Sequence, residues 1–208
     1  YVAQSHDTRT GLPIFSLYGE TRKPTQAMLK GIDVMVYDIQ DNGCRSYTFI
    51  STLGLVMQAC AEAGIEVVVL DRPNPLGGLK VEGSLVEEGF FSFVGMYPIP
   101  YIYGLTVGEL ALMINGEGYA RGQNGKESFK ECKLTVVPIE GWHRTMTFND
   151  TKLPWIPTSP HIPTVESALC YPASGIIGEL SGYLSIGVGY TQPFQLFTAE
   201  RLTSADDF

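Results

Sequence analysis

The sequence of 208 residues lacks the short motifs by which several large enzyme classes are recognised. The dinucleotide fingerprint G-x-G-x-x-G follows none of the predicted strands, and neither a Walker loop nor a G-x-S-x-G nucleophile turn is present. The nearest string, Gly116-Glu-Gly118, lies at the end of a predicted helix, which is the wrong end for a phosphate. These absences argue against dinucleotide binding, P-loop chemistry and the α/β-hydrolase mechanism.

Positively charged residues are also scarce. The chain has 14 Lys and Arg against 22 Asp and Glu, which gives a formal net charge of −8. The cations are scattered and form no basic stripe, so a nucleic-acid partner is not expected. No apolar run approaches the roughly 20 residues that a membrane-spanning helix needs, so no membrane span is predicted.

Potential metal ligands are few and far apart in the sequence. Cys44, Cys60, Cys132 and Cys170 show neither C-x-x-C nor zinc-finger spacing, and we interpret them as structural thiols. The three histidines stand in dissimilar settings, so no metal site is predicted. We expect no cofactor.

What the sequence does contain is a regular alternation of apolar strands and helices. Runs rich in Val and Ile alternate with helical patterns, which predicts an α/β, Rossmann-like fold with a mostly parallel sheet flanked by helices on both faces. Thr106 and Glu109 form a capping box at the start of the predicted helix 106–116, and Gly64 ends the predicted helix 47–63. The predicted strands are 12–17, 32–38, 65–71, 133–139 and, more weakly, 99–104; the predicted helices are 24–31, 47–63 and 106–116.

The two ends of the chain suggest a piece of a longer protein. The sequence begins at Tyr1 without a Met, and "RLTSADDF" stops where a new helix is about to begin. We expect residues 1–200 to form an N-terminally truncated catalytic domain, and residues 201–208 to begin the connection to a smaller, absent C-terminal domain.

Two of the apolar strands end in the same way, with an acid and a polar loop. "IDVMVY" is followed by "DIQDNGCRSY" and "IEVVVL" by "DRPNPLGG", which places Asp38 and Asp71 at strand ends. In an open parallel sheet, ligands bind outside the carboxyl ends of the strands, so we expect both loops to line one site. The alternative for each Asp is that it only caps the following turn or helix.

The polar side chains of this region suit a sugar. Carboxylates, amides and arginines can bind hydroxyl groups, and an aromatic ring can stack on the sugar ring. Glycoside cleavage usually needs two carboxyl groups. Asp38, Asp71 and Glu179 are the candidate catalytic residues, and the alternative is that such acids only form part of the solvated surface of an acidic protein. Burial would raise the pKa of Glu179 toward that of a general acid unless it is a surface residue. The predicted substrate-binding residues are Gln40, Arg45, Tyr47, Arg72, Asn74, Glu82, Tyr103 and His161.

Several blocks of the sequence resemble one family. "TGLPIFSLYG", "LKGIDVMVYDIQDNGCRSYTFISTL", "VVVLDRPNPLGG", "SFVGMYPIPYIYGLTVGELALMINGEG" and "VGYTQPFQ" are similar to the family formerly called DUF1343, in the family's order, over residues 11–197. The resemblance implies a Rossmann-like N-terminal domain and the activity of NamZ-type exo-β-N-acetylmuramidases. Such enzymes remove N-acetylmuramic acid from the non-reducing end of peptidoglycan fragments.

The resemblance also carries expectations about the site and its setting. The family's upstream Glu-His-Gly motif, whose Glu is the favoured acid, is absent here, so this chain alone is expected to be inactive. The family's Ser-Pro-Asn-Leu-Pro block has His161 in place of the Asn, so that position could be a packed loop histidine instead. The implied substrate places the protein outside the cytoplasm, in the periplasm or secreted. The alternatives are a non-catalytic domain that binds cell-wall sugars and a sugar-phosphate enzyme.

An acidic chain that binds an acidic sugar needs a local cation. N-acetylmuramic acid carries a lactyl carboxylate, and the planar fork of an arginine can hold such a group with two hydrogen bonds. Arg45 and Arg72 lie in the two strand-end loops, so we expect one of them to contact the lactyl group. The alternative is that each forms a structural ion pair.

Overall fold

The computed structural model describes residues 4–118, 131–180 and 183–199, so the predicted connection at 201–208 lies outside the described residues. The elements in chain order are β1 (Ser5–His6), β2 (Pro13–Ile14), β3 (Val34–Tyr37), α1 (Phe49–Ala63), β4 (Glu66–Leu70), α2 (Val107–Glu117), β5 (Leu134–Val137), a 3-10 turn (Asn149–Thr151) and α3 (Val165–Gly178). Strands β3, β4 and β5 form a parallel sheet in that order, and β1 pairs with β2 in antiparallel fashion. The prediction of an α/β fold with a parallel sheet is confirmed.

The two helices that connect these strands pack on the same face of the sheet. Each crossover moves one strand further in the same direction, and a right-handed crossover then places each helix on the same side. Val67 and Val69 of β4 are fully buried beneath α1 and α2. On the opposite face of the described sheet, Val34 is 46% and Val36 is 55% exposed. The expected layer of helices is therefore found on one face of this sheet.

Helix α1 is the centre of the main core. Every residue from 50 to 61 is buried, including Ser51, Thr52 and Gln58. The segment 93–99 contacts α1: the Ser51 hydroxyl donates a 2.7 Å hydrogen bond to the carbonyl oxygen of Phe93, and the Tyr97 hydroxyl donates a 3.2 Å hydrogen bond to the carbonyl oxygen of Ile50. The helix ends at Gly64, which has a left-handed conformation, as predicted.

Helix α2 begins with the predicted capping box. The Thr106 hydroxyl accepts from the Glu109 backbone N–H at 3.2 Å, and the Glu109 carboxylate accepts from the Thr106 backbone N–H at 3.0 Å. Val107, Leu110, Ala111 and Ile114 face the core, as the apolar spacing predicts. The capping box therefore fixes the residue at which α2 begins.

Three of the predicted elements are wrong. The predicted helix 24–31 is a series of turns, because so short a segment cannot offset the cost of helix nucleation without more burial than it has. The strand predicted at 12–17 is limited to the two residues of β2. The strand predicted at 99–104 contributes only isolated bridges from Ile102 to Cys44 and Glu82.

Helix α3 was not predicted from the sequence. Pro172 lies within it, and Gly175 and Gly178 follow, so the composition of this segment is more typical of a loop than of a helix. Its N-cap is nevertheless regular, since the Thr164 hydroxyl accepts from the Ser167 backbone N–H at 3.2 Å. Ala168 packs with Ile162 and Phe194 in a second apolar cluster.

Cys44, Cys60 and Cys132 are buried free thiols, and burial raises the pKa of Cys60 to about 11, which fits a packing role. No helix in the described ranges is long and apolar enough to span a membrane. The described side chains include no group of three or more His, Cys, Asp and Glu that could hold a metal ion.

Candidate functional site

The two polar loops do meet at one edge of the sheet, and we call loops 38–47 and 71–78 together the strand-end rim. Strands β3 and β4 are parallel neighbours, so Asp38 and Arg72 follow their carboxyl ends side by side. The Asp38 carboxylate accepts from Arg72 Nε at 2.7 Å and lies 2.5 Å from Arg72 Nη2. This is the structural ion pair that the sequence left open for Arg72, although its partner is Asp38.

The amide side chains of the strand-end rim bind the two loops to each other. Gln40 Nε2 donates to the carbonyl oxygens of Asp41 and Pro73, both at 2.8 Å. Asn74 is 3% exposed; its Nδ2 donates to the Leu105 carbonyl and its Oδ1 accepts from the Leu76 N–H, both at 2.9 Å. Both predicted substrate-binding amides therefore have structural partners.

Asp71 caps a helix. Its Oδ1 accepts from the Gly108 N–H at 2.7 Å and from the Arg72 N–H at 2.9 Å, and its Oδ2 accepts from the Thr106 hydroxyl at 2.7 Å. A carboxylate at the N-terminus of α2 interacts favourably with the helix dipole and satisfies a free N–H group. The geometry is that of the capping alternative, in which both oxygens of Asp71 are already used.

Asp41 of the rim forms a buried polar pair with Tyr103, which lies in a later loop. The Tyr103 hydroxyl donates to Asp41 Oδ2, which also accepts from the Gly43 N–H at 2.7 Å. Burial raises the pKa of Asp41 to about 6, against the lowering effect of these hydrogen bonds. Within the described ranges, Asp41 Oδ1 and both polar side-chain atoms of the fully buried Asn42 have no hydrogen-bond partner.

Arg45 and Tyr47 lie at the far end of the first loop. Arg45 Nη1 donates to the carbonyl oxygens of Ser84 at 2.7 Å and Ile99 at 2.5 Å, and its guanidinium carbon lies 5.7 Å from the centre of the Tyr101 ring. The Tyr47 hydroxyl is 2.7 Å from the Thr158 hydroxyl. Both side chains thus tie the first loop to later segments of the chain.

The other three predicted residues lie away from these contacts. His161 is exposed in the loop before α3, and Glu179 is exposed at the end of that helix, so the burial expected around Glu179 is absent. Glu82 is exposed and lies 3.6 Å from Lys80. The contacts recorded among the described residues do not join Glu179 or His161 to Asp38 or Asp71.

A cavity of about 350 Å³ opens between the loop that follows the rim and helix α3. Its size falls within the range of small-molecule sites. We call it the α3 cavity, and it is lined by Leu76, Lys80, Glu82, Gly83, Tyr101, Ile102, Leu169, Pro172 and Ala173. Of the predicted site residues, Glu82 lines it.

Sequence reasoning missed Lys80, Tyr101 and the α3 side of this cavity. Thr164 followed by "VES" is an N-cap signal that could have located α3. Lys80 lies two residues after the "NPLGG" block and is the first cation beyond it. No sequence pattern distinguishes Tyr101 from Tyr103, whose hydroxyl points to Asp41 instead.

The comparisons with known proteins decide the family. Residues 1–166 match the family described as exo-β-N-acetylmuramidase NamZ, N-terminal. This chain belongs to that family. It is 46% identical, over 96% of its length, to the peptidoglycan β-N-acetylmuramidase NamZ of Bacillus subtilis, of which it covers 45%.

Two crystal structures of DUF1343 family proteins from Bacteroides fragilis share the fold. The first is 60% identical, with a TM-score of 0.87, and the match covers 95% of this chain and 49% of that one. The second is 36% identical, with a TM-score of 0.77, and the match covers 92% of this chain and 49% of that one. The chain thus spans about half the length of the relatives that it matches.

Proposed function

We propose that this chain supplies a domain of an exo-acting glycoside hydrolase that removes β-linked N-acetylmuramic acid from the non-reducing end of peptidoglycan fragments. The observation that carries the proposal is the 46% identity to the Bacillus subtilis β-N-acetylmuramidase, which extends over 96% of this chain. The strand-end rim and the α3 cavity lie within the matched length. Because peptidoglycan lies outside the cytoplasmic membrane, the proposal places the protein in an extracytoplasmic compartment.

The carboxyl groups of Asp71 and Asp38 differ in how far their oxygens are already bound by other groups of the protein. Asp71 has both oxygens bound at the start of α2, so it fits a positioning role better than the predicted catalytic one. Asp38 is exposed, with its Oδ1 held by Arg72. Glycosidases usually need two carboxyl groups on either side of the bond that breaks. In the proposed enzyme, Asp38 is the group of the rim that can face a substrate.

Hydrolysis of a chromogenic substrate tests the proposal. The protein, expressed at the length of its relatives, is incubated with 4-nitrophenyl β-N-acetylmuramide and with the matched glucosaminide. Release of 4-nitrophenol from the muramide, with little from the glucosaminide, supports an exo-β-N-acetylmuramidase. Binding of the muramide without release would instead support the non-catalytic sugar-binding domain and would overturn the proposed activity.

A further inference from the structure

The α3 cavity has features of a site for a carboxylated sugar. Its 350 Å³ volume suits one sugar ring, and its walls combine aliphatic carbon atoms from α3 with one tyrosine and two charged side chains. The charged pair is Lys80 and Glu82, on the loop that leads away from the strand-end rim. The cavity therefore lies beside the rim without using the rim's hydrogen-bonded side chains.

The aromatic wall of the cavity is held in place. The Tyr101 hydroxyl is 3.0 Å from the Ser46 hydroxyl, which fixes the tip of the ring. Glu82 and Ile102 exchange two backbone hydrogen bonds of 3.0 and 2.9 Å, which fixes the loop against it. Gly83 has a φ of +86°, and a Cβ there would lie 2.6 Å from Tyr101 Cβ. Only a glycine at this position lets the loop approach the ring so closely.

Lys80 differs from the arginines of the neighbouring loops in how it is bound. Arg45 donates to two backbone carbonyls and Arg72 is held by Asp38. Lys80 has a longer contact, 3.6 Å to Glu82, and the two side chains are 55% and 59% exposed. A pair of this kind contributes little to stability, so a ligand carboxylate can take the place of Glu82 at small cost.

We propose that the α3 cavity binds the N-acetylmuramic acid ring, with the lactyl carboxylate against Lys80. The inference rests on the proposed function for the identity of the sugar. It assigns recognition of the lactyl carboxylate to Lys80 instead of Arg45 or Arg72. Glu82 then weakens the binding of the acidic sugar, because it competes for Lys80 and repels the lactyl carboxylate.

Variants that remove or keep the charge of Lys80, and one that removes the charge of Glu82, test this assignment in the 208-residue protein. Binding of methyl β-N-acetylmuramide and methyl β-N-acetylglucosaminide is measured by NMR titration at low salt. We expect the wild type to prefer the muramide by about tenfold, the scale of a charge-assisted hydrogen bond at a half-exposed site. Lys80→Met should remove the preference, Lys80→Arg should retain it, and Glu82→Gln should strengthen muramide binding.

Lys30→Met is the matched control, because it makes the same charge change at an exposed lysine that does not line the cavity. It should keep the preference of the wild type. If a folded Lys80→Met protein also keeps it, or if the wild type binds both sugars equally, the inference is wrong. These results are independent of turnover. Muramide cleavage together with a retained preference in Lys80→Met refutes only the inference, whereas a preference that depends on Lys80 without cleavage refutes only the proposed activity.

Discussion

The strand-end rim and the α3 cavity lie next to each other and use their polar side chains in opposite ways. In the rim, Gln40, Asp71 and Asn74 each bind two backbone groups, one in their own loop and one in a later segment of the chain. In the cavity, Lys80 and Glu82 are more than half exposed and are joined by a 3.6 Å contact. The difference teaches that most polar groups of the most distinctive sequence blocks build the platform, with the exposed Asp38 as the exception, while Lys80 and Glu82 just beyond them are free to meet a ligand.

The largest effect that we predict concerns the buried acid of the rim. Burial raises the pKa of Asp41 from 3.8 to about 6 in the folded protein. The proton is bound more tightly in the folded state, so the stability that it contributes is present below pH 3.8 and is lost as the pH rises through 6. The free energy of unfolding should therefore fall by about 3 kcal/mol over this range because of Asp41 alone.

Asp41→Asn isolates this contribution. Urea denaturation of the wild type and the variant at pH 4 and at pH 7 gives two differences in the free energy of unfolding. The difference should shift by about 2 kcal/mol in favour of the variant at the higher pH, because at pH 4 the unfolded carboxyl group is already partly ionised. Parallel pH profiles for the two proteins would mean that Asp41 titrates as an ordinary carboxyl group, and that the rim does not bury a charge.

A second prediction concerns how closely the two loops of the rim approach. Gly43 has a φ of +77°, and a Cβ there would lie 2.1 Å from Asn74 Oδ1. Gly31 has a φ of +81° with nothing within 4 Å of the added atom. Both Gly→Ala variants carry the cost of the left-handed conformation, and Gly43→Ala adds an overpacking cost of about 2 kcal/mol.

Thermal unfolding of the two alanine variants measures that added cost directly. Gly43→Ala should unfold at a clearly lower temperature than Gly31→Ala. Equal melting temperatures would show that Asn74 moves aside freely, and that the amides of the rim are adaptable enough to bind a ligand.

A smaller effect distinguishes capping from catalysis at Asp71. Asp71→Asn keeps the shape but loses the charge at the start of α2 and an acceptor, which should lower the free energy of unfolding by about 1.5 kcal/mol. Muramide hydrolysis by the protein expressed at the length of its relatives should remain at a temperature where the variant is folded. An unchanged melting temperature with lost hydrolysis would restore Asp71 as a catalytic residue.

The sequence predicts the sheet and its two connecting helices because periodicity is a local property. Val67 and Val69 belong to a continuous apolar run, and Thr106 and Glu109 are three residues apart, so both signals are visible in a short window. Helix α3 was not predicted because Pro172 and the nearby glycines favour a loop in the sequence. Packing around Ala168 and Ile162, which the sequence does not show, favours the helix. The opposite error concerns the short segment 24–31. Its sequence pattern predicts a helix, but the segment has little to pack against and forms turns instead.

The roles of the site residues depend on contacts that sequence spacing does not show. An acid at the end of a strand has the same local pattern whether it caps a distant helix or faces a substrate. Asp71 is a cap because Thr106 and Gly108 return to it from a later part of the chain. Arg72 pairs with Asp38 only because β3 and β4 are neighbours, and Tyr101 lines the cavity while Tyr103 turns to Asp41.

The central claim is that the sugar binds in the α3 cavity and that the rim supports it. Two tryptophan substitutions on the same helix test this most directly: Ala173 lines the cavity, whereas Ile176 is 57% exposed and does not line it. NMR titration with methyl β-N-acetylmuramide should show binding weakened by more than about tenfold in Ala173→Trp and unchanged in Ile176→Trp, with both proteins folded, because an added indole fills the space that the sugar ring needs. Wild-type affinity in a folded Ala173→Trp protein would contradict the account and place the sugar elsewhere.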